Sequence, residues 1–443
     1  MGREKERMIE AMYAPYLTDD AKRVCVECFS DPYIKEFVLN NANSDCCHYC
    51  ENETQDGECN SAPANDVLKY IEACVHKKYT DSENVAMSGD PSGLDAHELI
   101  NELGILSDPD SLFREELEIR LGRADDKKWL AHTYYNENSQ HDVYVKSWEG
   151  FKDLVKQKSR FVFGQIVRDT TGMDHWDQQI DPYRILKWLH GMVAAFNLVA
   201  ELPVGTEMIR VRADTDRLYS TLDQLGPVPM RLAKYANRMS PPGIPMFYSA
   251  EDADTAIKEI WNGKVGVKFS VATFKTRKPC LMVDFCSLPP VPTIFKLDAT
   301  LDQIDALNFL WSFVRDISQP ISKLEAEHIQ YVPTQILTEY FRHIFKTSDG
   351  RPIMGMKYPS SYTVRPCYVM FWGHNKDSAV NPEVIDIWCD LPSIQYRQIH
   401  TNKRPHISLP QKLDADNQER ETRIDHLVYQ LYNLTPEVDY ATS

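Results

Sequence analysis

The sequence predicts an α+β protein, in which a Cys-rich N-terminal segment and a helical stretch precede a mixed α/β domain. Three observations lead there. Cysteines gather before residue 80, at Cys25, Cys28, Cys46, Cys47, Cys50, Cys59 and Cys74. Apolar spacing from about Leu99 to Leu202 is mostly helical. Beyond Pro203, short alternating runs interleave with amphipathic ones. The expected division is 1–75 Cys-rich, 76–202 helical, 203–395 mixed, and 396–443 a polar extension.

Composition bounds the rest. A chain of 443 residues has room for two or three domains. A hydrophobic content of 43% and a charged content of 26% are those of a folded protein. The 49 Lys+Arg against 65 Asp+Glu disfavour broad attraction to nucleic acid. A small anion needs only a few local arginines and is not excluded. MGREKERMIE has no apolar core to act as a secretory signal, and Glu6 stands where a myristoylation motif has Ser or Thr. MVAAFNLVAELPV is too short to span a bilayer. These features point to a cytoplasmic protein without membrane association, whose cysteines are thiols or metal ligands rather than disulfides.

In the first segment, Cys25-x2-Cys28 and Cys47-x2-Cys50 have zinc-ribbon spacing. Each pair presents two thiolates, and two pairs close a tetrahedron, which makes a structural site. Cys46 and His48 compete as ligands, and free thiols in a loop-rich segment are the plain alternative. DVLKYIEACVHKKY follows with helical spacing, and TDSENVAMSGDPSGLD reads as a linker.

In the helical stretch, SWEGFKDLVKQKSRFVF puts Trp148, Phe151, Leu154 and Val155 on one face, with Ser147 as the expected N-cap. DPYRILKWLHGMVAAFNLVAEL reads as a second helix with Pro182 near its start.

In the mixed domain, MIRVRA, MFYSA, VGVKFSVATF, CLMVDF, CYVMFW and VIDIWC read as strands. The basic turn KTRKP joins the third to the fourth. DADTAIKEIW, LDQIDALNFLWSFVRDI and PTQILTEYFRHIF read as helices. TRIDHLVYQLY has a helical pattern within an otherwise polar tail.

NRMSPPGIPMFYSAEDADTAIKE, residues 237–259, reads as one wall of a nucleotide pocket. Tyr248 lies near the end of a short strand, Glu259 lies on the next helix, and Thr255 shares its face at i−4. Arg210 and Arg212 share one face of a strand. Arg238 precedes a turn at Gly243, which permits close backbone approach. Arginine forks suit a diphosphate, and a Tyr ring stacks on a base. A carboxylate stabilises the oxocarbenium-like state of N-glycosidic cleavage, from which neutral nicotinamide leaves without a general acid. The plain alternative is a surface Arg, a core Tyr and a helix-face Glu.

On MIRVR, NRMSPPGIPMFYSAEDADTAIKE, VPTQILTEYFR and DGRPIMGMKYPSS, residues 203 to about 390 resemble the RES domain. That family includes NAD-destroying bacterial toxins related to ADP-ribosyltransferase-like folds. The resemblance implies an NAD glycohydrolase or phosphorylase, with NAD as substrate and water or inorganic phosphate as acceptor. It puts the family Arg on Arg210, with Arg212 competing, and the family Glu on Glu259. The family Ser falls on Ser360, with Ser361 beside it, and Tyr248 and Arg238 match as well. By the family's logic Arg210 and Arg238 hold phosphates or ribose, Tyr248 packs on nicotinamide, Glu259 stabilises the ribosyl cation, and Ser360 positions the ribose. DGRPIMGMKYPSS is longer than its counterpart in shorter members.

The first ~200 residues resemble the HEPN/RES N-terminal domain, on CVECFSDPYIKEFV, CCHYC and SWEGFKDLVKQKSRFVF. Many HEPN domains are RNases with a loose Arg-x4–6-His motif, met here by Arg184/His190 and Arg168/His175. Three functions follow: an NAD-degrading toxin or phage-defence enzyme, a HEPN-type RNase, and a non-catalytic NAD or ADP-ribose sensor. Arg210, Tyr248, Glu259 and Ser360 together favour the first over the third. Toxins of this family are commonly held by an antitoxin, so an inhibitor or antitoxin is an expected partner class. A homo-oligomer is left open.

Overall fold

The computed structural model describes residues 21–50, 58–81, 93–122, 127–132, 139–163, 182–261, 266–319, 327–371, 387–389 and 394–398. The described residues fall into two compact units. One holds those up to Val143 together with Pro290–Asn308, and the other holds the rest. The tail pattern TRIDHLVYQLY lies outside the described residues. Among those described, no helix is long and apolar enough to cross a membrane.

In the first unit, β1 (Arg23–Cys25) pairs antiparallel with β2 (Ser61–Pro63). The helix Pro32–Asn40 starts where Asp31 Oδ1 accepts from the Tyr33 and Ile34 amides, with Pro32 in the first turn, where no N–H is missed. The helix Ala64–Val75 buries Val67, Leu68, Ile71 and Cys74 on one face. β3 (Tyr79–Asp81) pairs with β4 (Trp129–Ala131). A reciprocal Asp95/Glu98 capping box opens the helix Ala96–Leu103, and Gly104, at φ 57°, closes it. Phe29, Ile71, Leu99, Phe113, Trp129 and Phe295 share one core with Cys25, Cys28 and Cys47. The Cys-rich segment and the helices after it are therefore packed as one body. The Tyr70 hydroxyl donates to the Phe295 carbonyl, which ties Pro290–Asn308 into it.

The second unit is built on one mixed sheet. Its strands are β5 (Val199–Leu202), β6 (Glu207–Asp214), β7 (Phe247–Ala250), β8 (Lys268–Thr276), β9 (Cys280–Asp284), β10 (Gly355–Pro359), β11 (Pro366–Met370), β12 (Ile387–Cys389) and β13 (Gln395–Gln398). The order is β12-β8-β6-β7-β11-β10-β9-β5, with β13 also on β8. Only β9 and β10 run parallel. Residues 277–279 alone join β8 to β9, yet β6, β7, β11 and β10 stand between them. The basic turn is thus no hairpin: the sheet bends back on itself. The bend encloses Met208, Phe247, Phe274, Met282, Tyr368 and Met370.

Local chemistry moved three expected boundaries. The helix Gln140–Asp153 begins well before Ser147, which is buried inside it. Ser139 and Asp142 cap each other reciprocally, with Asp142 N–H donating to Ser139 Oγ (3.1 Å) and Ser139 N–H to Asp142 Oδ2 (3.0 Å). The helix Pro182–Ala195 stops short of FNLVAEL, because Asn197 takes a left-handed φ of 52° and turns the chain into β5. KYPSS, not expected as a strand, forms the end of β10 and the turn after it.

Candidate active site and metal centre

The ladder between β6 and β7 consists of the single pair Ile209↔Ala250. Beyond that pair the strands part. The Tyr248 carbonyl, left without a strand partner on that side, accepts from Arg210 Nη1 at 2.7 Å. The gap opens a cavity of about 520 Å³. Its floor includes Ile209, Ala250, Cys367 and Tyr358, which the register sets in one row across four strands. Arg210, Arg212, Arg238, Tyr248 and Glu259 line it, with Tyr331, Tyr362 and Trp261. These residues come from distant parts of the chain but belong to one unit.

Arg210 is 7% exposed, and its guanidinium lies 4.8 Å from the Phe247 ring centroid. Burial first, and the charge of Arg212 second, push it down to about 9, so it stays cationic at neutral pH. Arg212 donates to the Gly226 carbonyl at 3.0 Å, and burial lowers it too. The Nε atoms of both are buried without a hydrogen-bond partner. Two neighbouring guanidinium groups on residues that line one cavity suit an anionic ligand.

Tyr248 shares a 2.9 Å hydrogen bond with Ser240 Oγ. Burial pushes its phenol up to about 12, against lowering by Ser240, so it is neutral throughout the working range. The loop that carries Arg238 is held by the helix Val332–His343. Thr334 Oγ1 donates to the Arg238 carbonyl, and Gln335 Nε2 to the carbonyls of Asn237 (2.9 Å) and Ser240 (3.2 Å). That is the structural use of VPTQILTEYFR. Arg238 itself donates to the Ser318 carbonyl at 2.5 Å, at the C-terminus of the helix Leu301–Ser318, where a cation is favoured. Gly243 takes φ 87° with open space beside it, so the turn needs glycine for its angle, and no protein backbone approaches closely.

Glu259 lies in the last turn of the helix Ala253–Ile260, which Asp252 caps. The Ser360 hydroxyl, 2% exposed, donates to Glu259 Oε1 at 2.5 Å. Ser361 is exposed and has no such role. Ser360 is thus behind Glu259 and does not itself line the cavity. Thr255 does not reach the cavity either. It is 1% exposed and donates to Asp252 Oδ2 at 2.7 Å. Tyr358, Cys367 and Ser240 were not foreseen. Tyr358 had one legible signal: it stands at i−2 from Ser360, so a strand there would put both on one face. Burial raises the Tyr358 phenol well above its ordinary value.

The RNase candidates fare differently. His190 Nδ1 is 3.3 Å from the Tyr340 hydroxyl, and its ring packs 4.3 Å from that of Phe345. Arg184 is exposed. Arg168 and His175 lie outside the described residues.

In the first unit, the sulfurs of Cys25, Cys28, Cys47 and Cys50 lie within 4.8 Å of one another. The Cys25–Cys28, Cys28–Cys47 and Cys25–Cys50 separations are 3.8, 3.7 and 3.4 Å. A zinc–sulfur tetrahedron with ~2.3 Å bonds requires edges of roughly 3.8 Å. The amides of Cys25 and Tyr49 both point at Cys47 Sγ from 3.4 Å, as N–H donors do toward a bound thiolate. The competing ligands are engaged elsewhere. His48 Nδ1 accepts from the Arg23 amide at 3.1 Å, and Cys46 Sγ faces the Cys47 carbonyl. The four thiols fit a metal ion, which would close the site as a structural one.

No curated protein and no solved structure matches the chain. Family comparison finds HEPN/RES N-terminal domain 1 over residues 40–169 and the RES domain over residues 210–392. The second match takes in Arg210, Tyr248, Glu259 and Ser360, and the chain is thus a RES-domain protein that carries a HEPN/RES N-terminal domain.

Proposed function

We propose that the protein cleaves the nicotinamide–ribose bond of NAD, as a glycohydrolase or phosphorylase. One observation carries the reading: a carboxylate held by Ser360 lines the same cavity as Arg210, Arg212 and Arg238. In this reading Arg210 and Arg212 hold the diphosphate, and Tyr248 offers its ring to nicotinamide. Glu259 stabilises positive charge as the C1′–N bond breaks. The bonding pair leaves with nicotinamide, which departs neutral. Water or inorganic phosphate then adds at C1′. Arg238, already on the Ser318 carbonyl, contributes field more than a free fork. The RES match supports an NAD-related toxin or phage-defence role, open to control by an antitoxin or by the N-terminal half. The Cys25, Cys28, Cys47 and Cys50 site takes zinc in the same reading.

The test is Glu259→Gln. The charge acts mainly in the transition state, so turnover should fall by roughly a hundredfold or more. NAD affinity, measured by titration calorimetry, should change little. A variant with full turnover would remove Glu259 from this role, and one that no longer binds NAD would make it a binding group.

A further inference from the structure

The turn Ser360–Arg365, between β10 and β11, meets the helix Ala253–Ile260 through two directed hydrogen-bond chains. In one, the Tyr362 amide donates to Ser360 Oγ (3.2 Å), so the hydroxyl hydrogen is free to go to Glu259 Oε1. In the other, the Arg365 amide donates to Thr363 Oγ1 at 3.3 Å. Thr363 and Thr255 hydroxyls are 2.9 Å apart, and Thr255 spends its only hydroxyl hydrogen on Asp252 Oδ2. Thr363 is therefore the donor between them. Both chains run from the turn and end on carboxylates of one helix, at its N-cap Asp252 and at Glu259. That spacing is about two turns, which puts both ends on one helix face. Within the same turn Val364, a β-branched residue, sits at φ 60°. Such a conformation is strained and persists only where neighbours enforce it. Ser360 adds two such constraints, accepting from the Val364 amide and donating its own amide to the Arg365 carbonyl, each at 2.9 Å.

We propose that Thr363 is a positioning residue, which with Thr255 brackets this turn onto the helix and so fixes which oxygen of Glu259 faces the ligand. Oε1 is taken by Ser360, and Oε2 is left for the ribose. This rests on the reading of Glu259 as the carboxylate beside the reacting bond. Thr363→Val keeps the shape and removes both hydroxyl bonds, and Thr363→Ser restores them.

The full-length protein is assayed with NAD. Thr363→Val should lower kcat about tenfold, as a small misplacement of a catalytic group does, with KM within about twofold. Thr363→Ser should recover most of the loss. An unchanged kcat, a loss confined to KM, or a serine variant as poor as the valine one overturns the bracket. Hydrogen exchange at residues 253–260 and 360–365 reads the bracket without turnover. Faster exchange in Thr363→Val is expected, and unchanged exchange overturns the proposal. If the wild type releases no nicotinamide while exchange responds, the assigned reaction fails and the bracket stands.

Discussion

Ser360 Oγ lies 2.5 Å from Glu259 Oε1, although the two stand 101 positions apart in the chain. Among the described residues this is the hydrogen bond given to the Glu259 carboxylate. A hydrogen bond to a charged group contributes about 1.5–3 kcal/mol. Ser360→Ala should therefore reduce kcat for NAD by roughly tenfold or more, with a smaller effect on KM. Steady-state kinetics separate the two, and an equal loss in both would assign Ser360 to general binding.

Arg210 sets a pH limit. Its folded-state value is pushed down to about 9, so it is protonated below that pH and loses its charge above it. The free protein should therefore lose affinity for a diphosphate as pH rises through 9. Measured as kcat/KM, which reports the free enzyme, activity should fall on that alkaline side. Bound diphosphate holds the proton, so kcat itself should fall later. In Arg210→Gln, kcat/KM should be low throughout and the alkaline step should vanish. An unchanged step in that variant would assign it to another group.

The thiol cluster predicts one zinc per chain by elemental analysis. Cys47→Ser should lose the metal and destabilise the first unit strongly, since structural zinc sites contribute folding free energy outright. Cys46→Ser should keep the metal, because Cys46 Sγ faces a carbonyl rather than the cluster. Metal-free, folded wild-type protein would contradict the site.

Gly355 tests the sheet beneath the site. A Cβ there would stand 2.5 Å from the Val369 carbonyl and 2.9 Å from Met282 Cε. Gly355→Ala should cost about 2 kcal/mol in denaturant unfolding, the scale of an overpacked core. A variant of wild-type stability would mean that β9, β10 and β11 pack less closely than described.

Much of this was legible in residue patterns, because alternation and helical spacing report one buried face. MIRVRA, MFYSA and CLMVDF gave strands, and DADTAIKEIW gave the helix that carries Glu259. What escaped depended on local chemistry or on distant partners. Ser139 rather than Ser147 starts its helix because a capping pair needs Asp142 three residues on. Asn197 ends a helix inside an apolar run by adopting a conformation that periodicity does not register. Thr255 shares a helix face with Glu259, as expected, yet at Thr255 that face meets the turn at Thr363, and only Glu259, near the helix end, reaches the cavity. Tyr358 stayed hidden because KYPSS looks like a loop until β11 pairs with it.

The most direct measurement is to incubate the purified protein with NAD, with and without inorganic phosphate, and to follow nicotinamide and the ADP-ribosyl product. The account predicts nicotinamide release that falls by roughly a hundredfold or more in Glu259→Gln. ADP-ribose as product identifies water as acceptor, and a phosphorylated ADP-ribose that forms only with phosphate identifies a phosphorylase. NAD that binds and is recovered intact in both conditions would contradict the account and make the cavity a sensor site.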